Sequence, residues 1–274
     1  MNNATYTRHI QEMILIGTTI YNAAAAMSSF LKEETGAVNA KGDRSLGMDI
    51  AIETAILGYV RENQLPVIVY SEEAGTVYTH DNPEGIFSMD PLDGSVNYKF
   101  GNGRLPCGTL FAFFRGLTPC LDDVAAAGVV DYTHQDQECF IFNGEHTINA
   151  SGVEVTPLDW EVKKNTPVYL DLYYPEGMKA YLAFAANLSI RGEGSVVGNL
   201  MNLLNNACSV MGGISVRAEE IGAVCALVKG AGGVIVDHEG KPLAGKLFHA
   251  DGKYPLLAGN RAVAEHMVEM MSSQ

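Results

Sequence analysis

Apolar residues near the start of the chain recur every three or four positions. Ile10, Met13, Ile16, Ile20, Ala24, Met27 and Leu31 follow helical spacing within residues 5–33 and predict a long first helix. The polar stretch from Gly36 through Asn39, Ala40, Lys41, Gly42, Asp43 and Arg44 reads as a loop. A second helix is predicted from about 48 to 63, with Ile52, Ile56 and Tyr59 on one face. The pattern then shortens to strand-like runs. Val67-Ile68-Val69-Tyr70 is β-branched and aromatic, and the apolar run from Gly85 to Met89 predicts a strand over 86–90. Thr109–Phe114, Ala127–Tyr132 and Cys139–Phe142 suggest a meandering antiparallel sheet. Beyond about residue 150, strands (168–172, 233–237, 255–258) alternate with helices (176–186, 195–206, 219–230, 260–272). Helices packed on both sides of two sheets are the natural outcome.

Composition narrows the class. A chain of 274 residues, 47% apolar and 18% charged, can bury a large core in one or two domains. No uncharged apolar run approaches the roughly 18 residues of a membrane span, and Met1-Asn2-Asn3 reads as no signal peptide. Cysteines at 107, 120, 139, 208 and 225 are odd in number and lack paired spacing, so they predict reduced thiols and a cytoplasmic protein. The net charge of −14 argues against a nucleic-acid polymer as partner. It leaves a small phosphate ester open, because bound divalent ions reverse the sign of an acidic site.

Candidate chemistry concentrates in Ser88-Met89-Asp90-Pro91-Leu92-Asp93-Gly94-Ser95-Val96-Asn97. Pro91 cannot donate to a ladder, so the strand is expected to end at Asp90 and the chain to turn. Asp90 and Asp93 then converge on one small volume, as hard cations such as Mg²⁺ require. The backbone N–H groups of Gly94 and Ser95 would seat a phosphate beside them. Asp-Pro-x-Asp-Gly alone is equally an ordinary turn. A second strand, 67–70, also ends in carboxylates, Glu72 and Glu73, and this favours the metal reading.

The Glu72-Glu73 pair followed by Asp90-Pro91-Leu92-Asp93-Gly94-Ser95-Val96-Asn97 resembles the signature of the inositol monophosphatase superfamily of metal-dependent phosphatases. Weaker similarity runs nearly end to end, through Asp49, Arg191-Gly192-Glu193-Gly194-Ser195, Ala231-Gly232-Gly233 and Ala258-Gly259-Asn260. In the family a Trp-Asp-x-Ala-Ala-Gly segment precedes the Ala-Gly-Gly strand and its Asp binds metal. Here Glu220 stands in that place, within Ala218-Glu219-Glu220-Ile221-Gly222, as in the related fructose bisphosphatases. A glutamate is still a hard oxygen ligand, and Glu219 is the alternative if the register slips.

The resemblance implies a five-layer α/β/α/β/α sandwich of the α/β (α+β) class. Residues 1–150 would form a metal-binding half and residues 151–274 a substrate-facing half. It implies two or three Mg²⁺ ions, with Glu72, Asp90 and the Leu92 carbonyl holding one and Asp90, Asp93 and Glu220 another. Asp49 and Ser95, as a hydroxyl–carboxylate pair within hydrogen-bond reach, would orient and deprotonate the attacking water. Gly94 and Ser95 would hold phosphate, and Arg191, Gly194, Ser195 and Glu219 would contact the rest of the substrate. Lithium sensitivity and a homodimer are implied in the same way.

The expected activity is hydrolysis of a small sugar or inositol phosphate, with 3′(2′),5′-bisphosphate nucleotidase or fructose-1,6-bisphosphatase activity as alternatives. A catalytically weak regulatory relative and a dinucleotide-binding protein are the competing classes. The second rests on Gly192-x-Gly194-x-x-x-Gly198, but the residues before it, Met178–Leu188, read as helical and not as the strand such a motif needs. Lys41 and Arg44 read as solvated loop residues, with a cationic loop over phosphate as the alternative.

Overall fold

The computed structural model describes residues 1–26, 32–39, 44–133, 138–156 and 160–273. Helix α1 (Asn3–Ala26) leads to a short antiparallel pair, β1 (Glu34–Val38) with β2 (Arg44–Leu46), and then to α2 (Gly47–Glu62). Seven strands follow around one short helix: β3 (Val67–Ser71), β4 (Gly75–Tyr78), β5 (Gly85–Asp93), α3 (Ser95–Gly101), β6 (Gly108–Arg115), β7 (Val124–Asp131), β8 (Cys139–Phe142) and β9 (Thr147–Asn149). They pair in the order β4-β3-β5-β6-β7-β8-β9, and from β5 onward the sheet is an antiparallel meander. The second sheet is built from β10 (Thr166–Leu170), β11 (Leu188–Arg191), β12 (Val210–Arg217), β13 (Val234–Val236) and β14 (Lys253–Gly259), in the order β11-β10-β12-β14-β13. Between these strands run α4 (Pro175–Tyr181) with a 3-10 turn (Leu182–Ala186), α5 (Val196–Leu204) and α6 (Ala218–Gly230); α7 (Arg261–Ser272) closes the described chain.

Alternation of side chains along each strand sorts the apolar residues into three cores. On β6, Phe111 and Phe113 point to one face, where Ile10, Met13, Ile52 and Ile56 of α1 and α2 cover them. Leu110, Ala112 and Phe114 point to the other face and meet α5 and α6 through Val197, Leu200, Val224 and Leu227. Met211, Leu256 and Ala258 of the second sheet close that middle layer from the opposite side. Its outer face, with Val168, Leu170, Val210 and Leu257, packs on Tyr181, Phe184, Val263 and Met267. The result is the expected five-layer α/β/α/β/α stack. Helix α6 lies between two sheets, and every residue from Ala218 to Val228 is buried. A helix without an exposed stripe belongs in such an interior.

Several elements differ from the sequence reading. Residues 34–38 and 44–46 pair as strands where a loop is predicted. The first helix is described only to Ala26, so Met27 and Leu31 lie outside the described residues. Strand β12 escapes the pattern because Gly212, Gly213 and Ser215 interrupt its apolar run, yet it pairs with both β10 and β14. The predicted helix 176–186 is α4 followed by the 3-10 turn, and Leu188–Arg191 is a strand parallel to β10. Strand β5 does not stop at Asp90. A bulge between Asp90 and Asp93 takes up Pro91, and pairing resumes with Asp93 opposite Gly108. The Pro91 carbonyl is satisfied by the Thr109 hydroxyl at 2.7 Å.

Gly108 has a packing reason to be glycine: a Cβ there would lie 1.8 Å from the Val130 carbonyl oxygen. A Gly108→Ala variant should lose about 3 kcal/mol of stability through overpacking against backbone. Gly58, on α2, has nothing within 4 Å of a built Cβ. Gly58→Ala should therefore gain about 0.5 to 1 kcal/mol through helix propensity. Denaturant unfolding of both variants tests the pair.

Candidate active site

A cavity of about 740 Å³ opens between the two sheets. Its floor comes from the ends of β3 and β5 and the start of α3, through Glu72, Glu73, Asp90, Leu92, Asp93, Gly94 and Ser95. Asp49 of α2 and Glu220 of α6 join this floor. The opposite wall comes from Asp171 to Tyr174 after β10, from Gly194 and Ser195 before α5, and from Arg217 at the end of β12.

The starts of α2, α5 and α6 meet here, and N–H groups at each of them bond to carboxylates. Asp49 and Glu220 each sit at the third position of their helix and accept the N–H of the residue before it. Leu46 N donates to Asp49 Oδ2 and Arg217 N to Glu220 Oε2, both at 2.7 Å. Asp93 Oδ2 accepts Val197 N, in the first turn of α5, at 2.6 Å. Asp90 Oδ1 accepts Leu92 N at 2.9 Å inside its own turn. Gly94 has φ +83, and a Cβ there would meet Pro106 O at 2.8 Å, so the turn into α3 requires glycine. Asn97 then ties this turn to the opposite wall, donating to Pro106 O at 2.8 Å and Glu193 O at 2.7 Å.

One oxygen each from Asp90, Asp93 and Glu220 lie within 4.8 Å of one another. Burial is the largest effect on all three. It pushes Asp93 up to about 6 and Glu220 up to about 8, and it holds Asp90 well above the usual carboxylate range. The neighbouring charges Glu72, Asp93 and Glu220 add to the rise at Asp90, while the Val197 and Val196 N–H groups restrain Asp93. Asp49, also buried, is pushed up to about 8, chiefly by loss of water and then by Glu73 and Glu72. The donor set is chemically suited to a hard divalent cation: carboxylate oxygens on rigid elements, whose charge is costly without one.

Glu72 is brought to the cluster but is already engaged. Its Oε1 accepts Arg217 Nη1 in an ion pair, and its side chain hydrogen-bonds to the Asp90 carboxyl. Leu92 lines the cavity, and its carbonyl accepts the Ser95 hydroxyl at 3.1 Å. Ser95 and Asp49 both line the cavity, yet among the described residues no hydrogen bond joins them, because each is held by its own local partner. Gly194 and Ser195 reach the wall, where Ser195 Oγ caps α5 by accepting Gly198 N at 2.9 Å. Arg191, exposed on the edge strand β11, and Glu219, buried in α6, do not line the cavity. Arg44 reaches the mouth but pairs with Glu34 at 2.9 Å. Lys41 lies outside the described residues.

Glu53 and Arg217 were not assigned from sequence, and Glu73 was read only as the partner of Glu72 in the acidic pair. Glu53, one helical turn after Asp49, is buried and accepts the Ser71 hydroxyl and Ala74 N, bracing the turn that carries Glu72. Its i+4 spacing from Asp49 was the available signal. Glu73 accepts the Ser45 hydroxyl. Arg217 had no local signal, since its partner Glu72 is 145 residues away.

The glycine-rich segment does follow a strand, since Leu188–Arg191 is β11 and not helix. A dinucleotide phosphate would need the α5 N–H groups that Asp93 already accepts. This removes the physical basis of that alternative.

No family model matches this sequence, and no curated protein sequence matches it. The fold, by contrast, matches solved structures over nearly the whole chain. A fructose-1,6-bisphosphatase from Leishmania major superposes with a TM-score of 0.75 at 16% identity, covering 97% of this chain and 93% of that one. Inositol monophosphatases from Zymomonas mobilis and Anabaena give TM-scores of 0.73 and 0.72 at 16% and 18% identity. They cover 98% of this chain in both cases, and 98% and 96% of their own. The chain therefore has the inositol monophosphatase and fructose-1,6-bisphosphatase sandwich fold.

The raised carboxyls make stability depend on pH with a definite sign. Unfolded, these groups titrate near pH 4. Folded, Asp93, Asp49 and Glu220 titrate at about 6, 8 and 8. The folded state thus binds more protons across that window, and stability falls as pH rises through it. In chelator, the melting temperature should drop between pH 5 and pH 8; excess Mg²⁺ or Mn²⁺ should flatten the drop.

Proposed function

We propose that this chain is a divalent-metal-dependent phosphatase that hydrolyses a small sugar or inositol phosphomonoester. The observation that carries the reading is the convergence of Asp90, Asp93 and Glu220 oxygens within 4.8 Å of one another on three fixed supports. Asp90, Asp93 and Glu220 would hold one Mg²⁺; Glu72, Asp90 and the Leu92 carbonyl would hold a second. When bound, such ions polarise phosphoryl oxygens and lower the pKa of a water.

The chain's own groups do the rest. The Gly94 and Ser95 N–H groups receive phosphoryl oxygens at the start of α3, where developing charge meets oriented dipoles. Ser95 Oγ, donating to Leu92 O, keeps its lone pairs for the hydrogen of an attacking water. Asp49, whose carboxyl burial raises toward neutrality, would in its ionised form take the water's other proton. Gly194 and the wall from Asp171 to Tyr174 face the organic part of the ester. Glu220 meets the requirement for an acidic oxygen at the helix start, which supports a working enzyme over a regulatory relative that has lost its metal site.

A nucleoside 3′,5′-bisphosphate is the second reading. It is favoured by Tyr173 and Tyr174 at the mouth, exposed by 66% and 39%, whose rings could stack a base.

Phosphate release from inositol monophosphate, fructose 1,6-bisphosphate and a nucleoside 3′,5′-bisphosphate tests both readings, in Mg²⁺, in chelator and with Li⁺. Release that needs Mg²⁺ is expected; Mg²⁺-independent turnover, or none with any ester, overturns the proposal. Asp93→Asn should lower kcat about 100-fold or more while circular dichroism stays native.

A further inference from the structure

A cation already sits among the site's carboxylates. Arg217 ends β12, and its Nη1 pairs with Glu72 Oε1 across the cavity. Glu72, Glu220 and Asp90 all stabilise its charge, and the Tyr174 side chain hydrogen-bonds it from the wall. Its side chain is 26% exposed and that of Glu72 15%, so the pair is partly shielded from water and salt. Arg44, also at the cavity, is spent on Glu34. The guanidinium thus stands where the proposed ion of Glu72, Asp90 and the Leu92 carbonyl would contact Glu72. Two cations cannot share one carboxylate in a half-buried pocket without strong repulsion.

We infer that Arg217 is a built-in, displaceable counterion for Glu72, so that a divalent ion enters this position only by exchanging with the guanidinium. The inference rests on the phosphatase reading only for the metal site itself. The exchange is geometrically simple. Arg217 has a second hold on Tyr174 at the wall, and its N–H anchors Glu220 whatever the side chain does. Withdrawal from Glu72 therefore leaves the α6 start intact. The arrangement holds the empty site together electrically and lowers its affinity for the ion that replaces the arginine.

Calorimetric titration of Mg²⁺ and Mn²⁺ into the metal-free full chain tests this without turnover. Arg217→Gln should bind the ion at Glu72 about tenfold more tightly than the unaltered chain, a change of about 1.4 kcal/mol. Arg217→Lys, which keeps the charge, should stay close to the unaltered chain. Melting curves of each variant check that the fold is retained. Equal metal affinity in all three proteins overturns the inference and leaves the phosphatase reading standing. Equal tightening in the Gln and Lys variants also overturns it, because charge would not be the cause. Failure of all three to bind either ion removes the metal site and both readings with it.

Discussion

The mutual repulsion of buried carboxylates organises this molecule. Glu72, Asp90, Asp93 and Glu220 meet in one shielded volume, and Asp49, Glu53 and Glu73 stand close behind. Such a cluster is costly unless each oxygen has a partner. The fold supplies partners of two kinds. At the starts of α2, α5 and α6, backbone N–H groups bond to these carboxylates. One guanidinium crosses from the second sheet to Glu72. The site sits between the sheets, where strand ends of the first face the starts of α5 and α6, which follow strands of the second.

How much of this was readable from the sequence depended on the range of each interaction. Strand β5 and its Asp90-Pro91-Leu92-Asp93-Gly94 segment were legible because a proline, a glycine and two acids act within a few residues of one another. Helix α6 was legible through its length and its glutamates. Strand β12 was not, although it is central to the second sheet, because its glycines break the alternation that marks a strand. The bulge at Pro91 was also missed. Pairing resumes after Pro91 with Asp93 opposite Gly108, a partner in the next strand that local sequence does not reveal.

The site shows the same division. Asp90 and Asp93 were assigned by type and spacing and Glu220 through the family resemblance, and the fold brings all three together. Arg191 and Glu219 sit beside cavity-lining residues in sequence, but strand and helix geometry turns adjacent positions to different sides. Arg217 was invisible for the opposite reason: its interaction spans two sheets. The expected Ser95–Asp49 contact is replaced by local bonds to Leu92 and Leu46, each set by short loop geometry and favoured over a longer reach.

Asp93 links two tasks. Its carboxylate belongs to the acidic cluster and also receives the first amides of α5, while Asn97 grips the loop before that helix. Any rocking of the second sheet away from the first would strip Asp93 of its amides and leave its charge exposed to its neighbours. The acid that gathers the cluster is in this sense also the latch between the two sheets, and relative movement of the two halves is coupled to the electrostatic state of a single side chain.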